Sequence, residues 1–183
     1  MRVAAFLLCL MLPVTAWAAP PKAPPKPLDA LFAQLRAAGS PEEAKPLEEQ
    51  ILALFQPSGS PSVDLLMTRE AAAEAADDKD TARQLIAAVT DIAPSYAEGW
   101  HRRGLLQSGA NDDENAMVSL QKAIALNPRQ FQAMEQLGEM LEDYGDKPGA
   151  LKMYRRAQGL DPQYEGLQRH IDGLSRAVEG QGI

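Results

Sequence analysis

Side chains able to do covalent or metal chemistry are few in this chain. It has two histidines, His101 and His170, and one cysteine, Cys9. A His-Glu-x-x-His zinc motif, a nucleophile elbow, a phosphate-cradling glycine loop and a cysteine pair are all missing from the sequence. Two histidines need a third ligand, such as Glu135 or Glu139, to hold a metal ion, so solvated or ligand-contacting histidines are the simpler reading. The acid-rich stretches Asp77-Asp78 and Asp112-Asp113-Glu114 have the charge of a calcium site. They do not have a glycine-containing loop of defined spacing. They stand where helices are expected to start, and carboxylates there favour the helix dipole. The sequence therefore predicts no catalytic set, no cofactor and no metal, and its function is expected to lie in binding.

The elements that must present a binding surface begin after a distinct N-terminal segment. Residues 1–18, "MRVAAFLLCLMLPVTAWA", have one arginine and an apolar run from Val3 to Leu12. They end in small residues at Ala16 and Ala18. This is the pattern of a secretory signal peptide, with cleavage expected between Ala18 and Ala19. The apolar run is too short for a stable membrane span, so no stable anchor is expected after cleavage. Cys9 lies inside the run behind Leu8, where a lipoprotein would have a small residue, so lipidation is rejected and the mature chain would have no cysteine. The expected location is the periplasm, or outside the cell as the alternative. The 183-residue chain has a formal charge of −7, which becomes −8 without Arg2. Such a chain is a poor ligand for nucleic acid or an anionic membrane surface. "APPKAPPKP", 19–27, reads as an extended proline-rich tether.

Residues 28–55 read as an antiparallel helix pair. Leu28, Leu31, Phe32 and Leu35 share one helical face, and Gly39 stops the first helix. Ser40, Pro41 and Glu43 form the start of the second, with Leu47, Ile51, Leu54 and Phe55 as its apolar stripe. Pro46 is expected to bend or delay its first turn. Residues 56–62 read as a linker.

From residue 63 a period takes over. Pro94, Pro128 and Pro162 are 34 residues apart, which divides the chain into units 63–96, 97–130 and 131–164. Position 20 of each unit is Ala82, Ala116 and Ala150. Position 27 is Val89, Ala123 and Ala157, and position 30 is Ile92, Leu126 and Leu160. Each unit has a polar turn near its middle, so each reads as helix, turn, helix, then a proline restart. One such hairpin cannot bury its apolar face alone, so the units must stack. The helix expected from residue 162 onward places Leu167, Ile171, Leu174 and Val178 on one face, as a terminal cap over 165–183 should.

The period and its small residues resemble the tetratricopeptide repeat family. Unit three carries the resemblance best, through Leu137-Gly138, Tyr144-Gly145-Asp146, Ala150, Tyr154, Ala157 and Pro162. Unit two adds Trp100, Gly104, Ala116, Ala123 and Pro128; unit one rests on Ala82, Pro94 and its turn. Glu70 departs from the family's small residue at position 8, and Arg69 and Arg103 replace the usual leucine at position 7. These departures either loosen packing or place charge near a groove. The resemblance implies an all-α, right-handed solenoid of three hairpins between an N-terminal pair and a capping helix. The N-terminal stretch "PLDALFAQLRAAGSPEEAKPLE" is also similar to that of small exported bacterial repeat proteins.

The family's first helices line a concave groove, mainly through positions 2, 5, 6, 9, 12 and 13. Carried onto this chain, the implied peptide-binding residues are Met67, His101, Arg102, Leu105, Gln132, Glu135, Gln136 and Glu139, with Arg169 and His170 from the cap. The groove is expected to be basic at unit two and the cap and acidic at unit three. The Lys/Asn/Arg set with which some members clamp a terminal carboxylate is absent from the matching positions. The implied function is an exported, non-enzymatic scaffold that binds a protein or an extended peptide. The alternative is a structural homo-oligomer stacked end to end.

Overall fold

The computed structural model describes residues 27–180. The leader, the Ala18–Ala19 junction and residues 19–26 of the tether lie outside the described residues. Within them the chain folds as nine α-helices and no strand. Six helices make the three repeat hairpins: α3 (Pro61–Ala75) with α4 (Lys79–Ile92), α5 (Ala97–Ser108) with α6 (Asp113–Leu126), and α7 (Phe131–Asp143) with α8 (Lys147–Leu160). The helix α9 (Leu167–Val178) packs on α8 and closes the array.

The turn inside each hairpin is built the same way. Its position 15 has a positive φ, at Asp77 (56°), Asn111 (59°) and Gly145 (82°). These are residue types that tolerate the left-handed region. The next residue is always an aspartate at the N-cap, Asp78, Asp112 or Asp146. Asp78 accepts a hydrogen bond from the Thr81 N–H and Asp146 from the Gly149 N–H, which satisfies one exposed donor of each outer helix. Asp112 instead accepts from the Asn115 side-chain amide at 2.9 Å. The acid-rich stretches thus serve as helix starts.

Between units the chain makes a tight turn around each proline. The position-34 N–H of Tyr96, Gln130 and Tyr164 donates to the position-31 carbonyl of Ala93, Asn127 and Asp161. Proline at the second residue of such a turn has its φ already set. The small residues then bring the helices together. A Cβ on Gly104 would come within 2.9 Å of Leu120, and one on Gly138 within 2.7 Å of the Tyr154 ring.

The N-terminal pair is not a further unit in front of the array. The helices α1 (Pro27–Ala37) and α2 (Pro41–Phe55) lie along the edge formed by the three proline turns. Asp29 pairs with Arg129 at 2.6 Å. Phe32 meets the Phe131 ring edge-on at 6.4 Å, and Phe131 in turn meets Tyr164. The Gln163 amide donates to the Ala38 carbonyl at 3.2 Å, and the Tyr96 hydroxyl donates to the Gln56 carbonyl. The hairpin is a strap that touches all three turns.

Three boundaries shift from the sequence expectation. Pro27, assigned to the tether, opens α1, and α3 starts at Pro61, inside the expected linker. The last helix begins at Leu167, because Gly166 with φ 89° breaks the backbone path after Pro162. Its Leu167, Ile171 and Leu174 are buried on α8, whereas Val178 stays partly exposed. Pro46 sits inside an unbroken α2, since the carbonyl it leaves free belongs to the exposed Glu42.

The core divides in two. One cluster joins the strap, units two and three and the cap; the other holds Val63, Met67, Ile86, Val89 and Tyr96 of unit one. Between unit one and unit two, Arg102 pairs with Glu70 and Glu74.

Candidate functional site

The inner helices α3, α5 and α7 stand side by side, and the seam between them is polar. His101 on α5 is only 3% exposed. Its Nδ1 lies 3.2 Å from a Glu98 carboxylate oxygen, and its Nε2 lies 3.0 Å from the Gln136 side-chain oxygen on α7. Gln130 donates to the same Glu98 oxygen at 2.7 Å. With Nε2–H donating to the Gln136 oxygen, Nδ1 accepts from the Gln130 amide at 3.2 Å, and the set locks unit two to unit three. His101 was expected on the groove surface. It is instead a bridge beneath it, because a half-polar ring between two packed helices is best satisfied by side chains on both.

Arg102 is likewise not a free cation. It pairs with Glu70 at 3.2 Å and Glu74 at 2.9 Å, both on α3. Glu70 occupies the position that takes glycine in the next two units, and it is fully buried. Burial pushes its carboxyl above the ordinary range, and Arg102 opposes that shift. The departure at position 8 therefore places charge under the groove, where it ties unit one to unit two. Arg103 turns the other way, stacking over Trp100 at 5.3 Å and donating to the Thr90 hydroxyl. The expectation of a basic patch at unit two is corrected: its arginines are paired and its histidine is buried.

Unit three and the cap do bring their residues together. Glu135 accepts from the Tyr164 hydroxyl at 2.9 Å, and burial pushes its carboxyl up. Glu142 accepts from Tyr154 at 3.1 Å and lies 3.0 Å from His170 Nδ1. Glu139 and Arg169 are exposed, while Gln132, Gln136 and Leu105 are half-buried. Met67 belongs to the unit-one core, yet it also lines a cleft of about 560 Å³ with Asp64, Thr68, Ala71, Arg102 and Pro57. Among the described residues no three His, Cys, Asp or Glu side chains gather as a metal site.

Two groups escaped sequence reasoning. Position 34 supplies Tyr96, Gln130 and Tyr164, whose side chains tie each proline turn to the strap or the inner helices. Their shared register was the available signal. Glu48 of α2 and the fully buried Asp161 of the third proline turn face each other as two carboxyls, and the Asp161 Oδ2 has no other hydrogen-bond partner. Nothing in the sequence spacing links those two.

Comparison with known proteins agrees with this geometry. A family model described as tetratricopeptide repeat matches residues 97–130, the second hairpin. A TPR repeat-containing protein of Rhizobium etli is 26% identical over 159 residues, covering 86% of this chain and 77% of that one. The first TPR of Spaghetti (RPAP3), solved bound to an HSP90 peptide, superposes with a TM-score of 0.59 at 18% identity, covering 63% of this chain and 92% of that one. The Yersinia enterocolitica secretion chaperone SycD, solved with a peptide of the translocator YopD, gives 0.57 at 14% identity, covering 67% and 95%. At those identities the superpositions speak for the fold alone.

Proposed function

Taking the chain as a tetratricopeptide-repeat protein, we propose that its concave face binds an extended segment of another protein and that the chain acts as a scaffold. The observation that carries this reading is the continuity of the inner face. Side chains of α3, α5, α7 and the cap interlock through Glu70–Arg102, His101–Gln136 and Glu142–His170, which holds three inner helices in one fixed surface. A pre-organised surface of this kind loses little freedom on binding. Two of the superposed folds were solved with peptides, which supports the class of ligand. Catalysis is not part of the proposal.

The proposal extends to export. Residues 1–18 are read as a leader cut between Ala18 and Ala19, delivering the scaffold to the periplasm or beyond. An intact mass of the protein from its own cells that starts at Ala19 supports this; a mass that retains Met1 or Arg2 refutes it. The polar outer face of α9, with exposed Gln168, Asp172 and Arg176, speaks against end-to-end stacking through the cap.

Crosslinking capture from native extract tests the binding surface. Arg102 is a poor probe because its removal strands buried Glu70. The better variant combines Leu105→Ala with Glu139→Arg. Partners held by the wild type and lost by this variant fit the concave face. Equal capture by both moves the site to the strap or the outer face.

A further inference from the structure

Charge in the array is sorted by layer. The inner helices α3, α5 and α7 carry eight carboxylates and three arginines within their bounds. The outer helices α4, α6 and α8 carry four carboxylates and seven lysines and arginines. Arg102 is engaged by Glu70 and Glu74, and Arg103 by Trp100 and Thr90. Of the carboxylates, Glu70 and Glu74 are taken by that same Arg102 and Glu98 is buried against Gln130, which leaves Glu139 and Asp143 of α7 as exposed carboxylates. The helix α7 has no cation at all, while Glu135, Glu139, Glu142 and Asp143 follow one another along it. Carboxylates three and four residues apart share a helix face and repel. The cap relieves this at one end only, where His170 meets Glu142 and Arg169 stands exposed.

Resting on the concave-face reading above, we propose that the partner segment is basic: an extended stretch of another protein rich in lysine and arginine, laid along α7 and α5 toward the cleft beside Asp64. Lysine or arginine side chains would relieve the repulsion along Glu139 and Asp143, and Leu105 would meet an apolar residue between them. An acidic segment would add like charge to the same ridge, and the face selects against it.

The test selects a random dodecapeptide display library against the full chain. Two variants run in parallel. One is Glu139→Lys with Asp143→Lys, both exposed on α7; the other is Lys152→Glu, exposed on the outer α8. Circular dichroism checks that both keep the wild-type helix content. The expected result is enrichment of lysine and arginine over the input library. Binding of the enriched peptides should weaken about tenfold in the α7 variant, weaken with rising salt in the wild type, and hold in the α8 variant. Acidic or uncharged peptides lost in the α7 variant would overturn the basic partner while leaving the concave face as the site. Basic peptides indifferent to the α7 variant would place binding elsewhere and overturn both. No enrichment at all would overturn the basic partner as well.

Discussion

Single residues decide how closely the helices approach. Gly138 leaves room for the fully buried Tyr154 ring, which in turn reaches Glu142 with its hydroxyl. Gly138→Ala would put a methyl within 2.7 Å of that ring. The ring has no free space to retreat, so the substitution should cost about 1–3 kcal/mol, read from a urea midpoint at constant slope. An unchanged midpoint would mean that α7 and α8 are packed more loosely than described. Ala116→Leu should cost a similar amount, about 1–3 kcal/mol, because Ala116 is fully buried on the α5–α6 contact. Glu70 is the opposite case. A buried carboxylate at a small-residue position is tolerated because Arg102 from the next unit reaches it.

At the scale of elements, the strap is held by apolar contacts, the Asp29–Arg129 ion pair and hydrogen bonds from the proline turns, and it carries one acid pair, Glu48 with Asp161. Burial pushes the Glu48 carboxyl up to about 7, and the nearby Asp161 carboxylate adds to the shift. Burial also raises Asp161. Lys45 opposes the shift on Glu48, and Glu49 reinforces it. A raised folded pKa means that the folded state holds a proton the unfolded chain has given up. Stability from this pair is therefore complete below the ordinary glutamate range and declines as pH rises from about 4.5 toward 7. Glu48→Gln keeps a donor for Asp161 without the charge. It should flatten that decline and melt higher than wild type at about pH 8. Parallel melting curves for the two proteins across the range would show that the acids do not share a proton.

How far these elements could be read from the sequence follows from what each depends on. The repeat hairpins were legible because close packing demands small residues at fixed phase, as Ala116, Gly104 and Gly138 show. The strap's helices were legible too, from Ser40 and the Phe32–Leu35 stripe. Its docking place was not, since Phe32 meets Phe131 across about a hundred residues and nothing local encodes that pairing. In the candidate site, the positions on the inner helices were legible, but their exposure was not. His101 was placed on the face by register and is buried beneath it against Gln136, while Arg102 lines the cleft but is paired with Glu70.

The whole molecule is a short solenoid with an edge closed by a strap, one end closed by α9 and charge divided between its layers. Unit one leaves Leu65 of α3 52% and Ile92 of α4 62% exposed. Polar groups of the inner face bind one another across helices, and the proposed docking of a segment of another chain rests on that continuity. A photo-crosslinking amino acid at single positions of the full chain, expressed in its own cells, tests this most directly. Placed at Glu139 on the inner face, it should capture a partner protein. Placed at Lys122 on the exposed outer side of α6, it should not. Capture at Lys122 alone, or only self-crosslinks at Glu139, would contradict the account.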